Sequence, residues 1–73
     1  METKQLVYKA FDIWCLKIYN RTYPPTDNNL ITFIKDVTTC NPDNKFLERY
    51  LNAQMGSIFR EDINQFIKQY DNI

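Results

Sequence analysis

Apolar side chains recur along this chain every three or four positions, in four successive stretches, and nowhere show the one-in-two alternation of a half-buried strand. The first stretch, about 3–20, carries Val7, Ala10, Phe11, Trp14 and Ile18 at helical spacing. Thr3 is its expected N-cap, and Tyr23-Pro24-Pro25 forces the chain to stop and extend. The second, about 27–38, places Leu30, Phe33, Ile34 and Val37 on one stripe with Ile31 at its margin. Thr26 or Asp27 stands where its free amides need a cap.

The third predicted helix, about 42–55, has the clearest start. In Asn41-Pro42-Asp43 the asparagine caps, the proline takes the first helical position where no amide is needed, and the aspartate meets the positive helix end. Phe46, Leu47, Tyr50, Leu51 and Met55 form its apolar face, and Gly56 supplies the left-handed residue that ends many helices. Ser57 offers a cap for the fourth stretch, about 58–70, in which Phe59, Ile63, Phe66, Ile67 and Tyr70 repeat at i, i+4, i+7, i+8 and i+11. Four helices joined by short connections predict an all-α fold, a compact four-helix domain built as a bundle or as an orthogonal array. Val7, Phe11, Trp14, Phe33, Ile34, Phe46, Leu47, Leu51, Ile63, Phe66 and Ile67 are the expected core.

Length changes this picture little, because 73 residues make a single domain spanning 1–73. A chain so short buries about 60% of its unfolded surface. Nearly every apolar side chain is therefore needed for packing, which leaves no room for a deep substrate cleft. Nine basic and nine acidic residues cancel, removing the long-range field that draws small proteins to phosphate backbones or anionic membranes. No apolar run approaches the ~20 residues that span a bilayer, and the first residues lead into an amphipathic pattern rather than a signal-peptide core. The expectation is a soluble, intracellular, cytoplasmic protein without a membrane partner. Asparagine and isoleucine are abundant while glycine and alanine are scarce, the bias of A+T-rich coding DNA, which points to a low-GC bacterium, phage or virus.

Candidate chemistry is sparse. There is no histidine, and Cys15 and Cys40 are the only thiols, so one chain cannot assemble a four-ligand zinc site or a Cys/His nucleophile. The two cysteines read as free thiols, with one disulfide between them as the alternative in an oxidising compartment. Asn20-Arg21-Thr22 fits the glycosylation triplet, but no secretory signal accompanies it. Adjacent Glu61 and Asp62 project about 100° apart on a helix and do not converge on one bond; a favourable macrodipole explains both. One glycine cannot build a phosphate cradle. No enzymatic activity, metal or cofactor is expected.

The functional expectation rests on the first helix, which is apolar on more than one stripe. Tyr8, Asp12, Cys15 and Tyr19 align at i, i+4, i+7 and i+11 beside the main face, while Leu6 and Ile13 extend the opposite flank. A helix apolar on most sides is either central in its domain or covered by a partner. Tyr8, Asp12, Leu16 and Tyr19, with proline-flanked Tyr23, are the expected partner-binding residues, because tyrosine adds contact area at little rotamer cost. The leading expectation is a small non-enzymatic protein that binds and modulates a larger protein partner, as an accessory or inhibitor protein of a phage or mobile element does. The alternative is a dimeric helix-turn-helix-like DNA-binding regulator with 42–55 as recognition helix, its Asn44, Lys45, Glu48, Arg49 and Asn52 reading base edges or phosphates. That stretch departs from a repressor-type turn in having no glycine there and a proline-started second helix. A second alternative is a structural subunit that self-assembles through the first helix, for example as a homodimer.

Overall fold

The computed structural model describes residues 2–52 and 57–71 and places them in four helices: α1 (Thr3–Tyr19), α2 (Asp27–Val37), α3 (Leu47–Leu51) and α4 (Ser57–Asp71). No strand occurs among the described residues, and the fold is all-α as its spacing predicts.

Helix ends follow local chemistry, with two corrections. The N-cap of α1 is Glu2, with extended backbone and no side-chain cap bond. Thr3, the expected cap, lies buried inside the helix, where its hydroxyl oxygen accepts a hydrogen bond from Arg60 Nη1 at 3.2 Å. The hydroxyl is thus used to join two helices instead of closing its own. At the other end Asn20 adopts the left-handed conformation (φ 58°, ψ 27°), and its N–H donates to the Leu16 carbonyl at 3.0 Å. Asparagine tolerates that region better than other residues with a β-carbon, so the helix stops there.

Of the two candidate caps for α2, Thr26 performs the role: its Oγ1 accepts from the Asn29 N–H at 3.3 Å. Asn29 Nδ2 also donates to the Pro24 carbonyl at 3.0 Å, tying the proline linker to the first turn of α2. Thr38 ends the helix by directing both its N–H and its hydroxyl at the Ile34 carbonyl, at 3.0 and 2.7 Å.

The second correction concerns α3, which begins at Leu47 and not near Pro42. Asn41 is exposed and Pro42 is buried, so the proline packs where a helical first turn was expected. Asp43 takes over the capping, its Oδ1 accepting from the Phe46 N–H at 3.0 Å across a turn at 44–46. Positions 53–55 of the expected helix, and its terminator Gly56, lie outside the described residues.

Packing pairs α1 with α4 in parallel. Thr3 meets Arg60 at their starts, and the Lys17 ammonium lies 4.0 Å from the Tyr70 ring centroid at their ends. α2 runs antiparallel to α4, since Phe33 faces Phe66 with centroids 5.9 Å apart and the Thr39 N–H reaches Asp62 at 3.4 Å. Phe33 is the hub, its ring also 5.8 Å from Phe11 and 5.5 Å from Trp14. α3 closes the opposite end, with Tyr50 edge-on to Phe59 at 5.4 Å.

One buried cluster joins all four helices. α1 contributes Leu6, Val7, Ala10, Phe11, Trp14 and Cys15, so much of its apolar surplus goes into being the central helix. Leu30, Ile31 and Phe59 add to the expected core, whereas Phe46 and Ile67 are only half-buried. Phe46 precedes α3 at the rim, where the Lys45 ammonium and the Arg49 guanidinium lie 5.6 and 5.2 Å from its ring centroid. No helix among the described residues is long and apolar enough to cross a membrane.

Candidate interaction surface

α1 outlasts the packing around it. Phe11, Trp14 and Ile18 share one stripe at i, i+3 and i+7, yet Phe11 is 1% exposed, Trp14 6% and Ile18 52%. Leu16 and Tyr19, on the adjacent flank, are 52% and 48% exposed. Among the described residues the other exposed large apolar side chain is Ile58, at the start of α4.

Three shallow depressions surround this helix end, and Trp14 lines all three. One of about 340 Å³ lies between α1, α2 and α4, with Ile18, Phe66 and Tyr70 in its wall. A second of about 260 Å³ is walled by Phe11, Cys15, Tyr19 and Tyr23. The third, about 420 Å³, joins them across Ile18, Tyr19 and Thr32. Trp14 is thus a floor common to all three. Its indole Nε1–H donates to Asp36 Oδ2 at 2.7 Å, which fixes the ring and satisfies a polar group that burial would otherwise strand.

The structure brings some of the expected partner-binding residues together. Tyr19 and Tyr23 stand edge to face at 5.3 Å, and Tyr19 meets Trp14 in the same manner at 5.7 Å. The Arg21 guanidinium lies 4.8 Å from the Tyr23 ring centroid on the rim. Leu16 joins this group by its i, i+3 spacing from Tyr19, with exposed Asp12 one turn earlier. Tyr8 does not join: it is half-buried against the core, about 16 Å along the helix axis from Tyr19 at 1.5 Å per residue.

Cys15 divides the flank that the sequence drew as one stripe, since it is buried between Tyr8 and Tyr19. Burial pushes its thiol above the ordinary value; a hydrogen bond with the Tyr23 backbone opposes this rise and the charge of Asp12 adds to it. Burial and a raised thiol value both lower its reactivity. Cys15 and Cys40 are both free, and among the described residues no group of three or more His, Cys, Asp or Glu could hold a metal ion.

The residues expected to contact nucleic acid are all exposed, but they do not share one long helix. Asn44 and Lys45 belong to the turn before α3, and Asn52 follows it, donating from Nδ2 to Glu48 Oε2 at 3.4 Å. Lys45 and Arg49 are drawn over Phe46. Residues that sequence reasoning left out of the candidate surface are Ile18 and Trp14, both assigned to the core stripe, and Asp36, Phe66 and Tyr70 from the neighbouring helices. Nothing in the periodicity of α1 marks where its neighbours end. No family model matches this chain, and no curated protein or solved structure matches it either.

Proposed function

We propose that this protein is a small helical interaction domain that binds and modulates a larger protein through the surface at the C-terminal end of α1. The observation that carries this reading is the concentration of exposed Leu16, Ile18 and Tyr19 within four successive residues, beside depressions floored by a buried tryptophan. Aromatic side chains fixed by the domain's own packing, next to exposed aliphatic ones, match the composition of binding hot spots. Covering that apolar area with a partner is favourable by about 25 cal/mol per Å² removed from water. Zero formal net charge also fits a partner found by shape and apolar contact instead of long-range steering.

The test is affinity capture from the native host with mass spectrometry, comparing the full chain with an Ile18→Ala/Tyr19→Ala variant. A partner retained by the first and lost by the second is the expected result. A partner retained equally by both rules the surface out. Light scattering on the free protein separates this reading from self-assembly, which predicts a concentration-dependent oligomer. Salt-steep binding to duplex DNA, lost with Lys45→Ala/Arg49→Ala, would establish the regulator reading instead. A five-residue α3, about 7.5 Å long, gives that reading little to insert into a groove.

A further inference from the structure

Two acidic side chains from different helices converge on the depression between α1, α2 and α4. Asp36, in the last turn of α2, and Asp62, in the second turn of α4, line it together with the rings of Trp14, Phe66 and Tyr70. Both carboxylates are oriented by the fold: Asp36 Oδ2 accepts from the Trp14 indole at 2.7 Å, and Asp62 Oδ2 accepts from the Thr39 N–H at 3.4 Å. Both donors are neutral, so these bonds position the carboxylates without compensating their formal charge. The one cation in the lining is Lys17, 4.0 Å from the Tyr70 centroid, which shows that this aromatic wall already attracts a positive group. Two carboxylates against one ammonium leave the lining with a formal charge of minus one.

From this charge and this floor we infer that the groove receives an arginine side chain of the protein partner, flanked by apolar residues that cover Ile18. The inference rests on the interaction reading above and deepens it. Arginine is the residue that fits because its flat guanidinium stacks on aromatic rings while its edge donates to carboxylates, two demands that lysine meets less well. The groove is open to water, so the pairing mainly selects the partner, and the apolar neighbours supply most of the affinity.

Trp14 is the chain's only tryptophan, so its indole N–H gives a single reporter signal inside this groove. The experiment is a titration of the ¹⁵N-labelled full chain at low salt with two capped tripeptides, Leu-Arg-Leu and its neutral isostere Leu-citrulline-Leu. The arginine peptide is expected to shift the Trp14 indole resonance with a Kd at least about fivefold below that of the citrulline peptide. In an Asp36→Asn/Asp62→Asn variant, which keeps an acceptor oxygen for both internal bonds, that preference is expected to fall below about twofold. Equal binding of the two peptides, an unchanged preference in the variant, or no shift with either peptide up to about 10 mM overturns the inference. Partner capture distinguishes the two levels. Loss with Ile18→Ala/Tyr19→Ala but not with Asp36→Asn/Asp62→Asn overturns the arginine site alone, whereas capture indifferent to the first pair overturns the interaction reading itself.

Discussion

Between Thr3 and Phe11, α1 buries Leu6, Val7, Ala10 and Phe11, whereas from Leu16 to Tyr19 the same helix leaves three of its large apolar side chains about half exposed. Hydrophobicity does not separate the two regions, since Ile18 is as apolar as Leu6. Coverage does. The start of α1 is closed by the first turns of α4, through the Thr3–Arg60 bond, and by α3, which is itself held on α4 by the Tyr50–Phe59 contact. Its last turn is flanked by the ends of α2 and α4, where Asp36, Lys17 and Tyr70 form rims instead of lids. A helical stripe identifies which face turns inward, but not how far along the axis a neighbour reaches.

The largest expected effect breaks the covered half. Phe11→Ala removes a fully buried ring that touches Trp14 and Phe33, and should cost about 3–5 kcal/mol. A domain of this size holds roughly 4–11 kcal/mol in all, so the variant should lose a large share of its stability, read as a fall in the melting temperature by circular dichroism. Trp14→Phe keeps an aromatic ring but removes the pyrrole half of the buried indole and with it the bond to Asp36, and urea unfolding should report a loss of about 2 kcal/mol or more. A loss near zero would mean that the floor of the groove is not held by that bond.

Asn20→Val, placed at the left-handed residue that separates the exposed turn from the linker, should cost about 1–2 kcal/mol, while Asn20→Gly should be neutral or better. Thermal melts of the pair distinguish this from a general intolerance at the site. Cys15 offers a smaller test through pH. Its folded thiol holds the proton more tightly than the unfolded chain does, so this contribution is complete below the unfolded value of about 8.5 and is lost as pH rises through the folded one. The difference in unfolding free energy between wild type and Cys15→Ala should therefore narrow above about pH 8.5. A flat difference would place the thiol in water.

The smallest effects sharpen the exposed end. Leu16→Ala and Ile18→Ala should each change stability by less than about 1 kcal/mol, as surface substitutions do. A loss above about 2 kcal/mol for Ile18→Ala would show that the last turn is covered in the isolated chain.

Much of the fold is legible in the residues. Leu30, Phe33 and Ile34 announce α2, and Phe59, Ile63 and Phe66 announce α4, because burying one stripe leaves a period that survives in the sequence. The start of α3 is read too early, since Asn41-Pro42-Asp43 has the chemistry of a cap while the burial of Pro42 moves that role to Asp43 and the helix to Leu47. The candidate surface is legible only in part. Tyr19, Tyr23 and Leu16 are visible as surplus, whereas Tyr8 belongs beside the core and Ile18 looks like core on any helical wheel.

The sequence by itself determined that the chain forms helices, where α1 and α2 stop, and most of the residues that bury, because capping, proline geometry and periodicity act within a few residues of one another. It also determined that no histidine and only two thiols are present for chemistry. Tertiary structure alone decided that Trp14 would floor three depressions, that Asp36 and Asp62 would line the same one, and that α1 would end beyond its cover. These depend on where one helix ends relative to another, a distance set by packing between residues far apart in the chain.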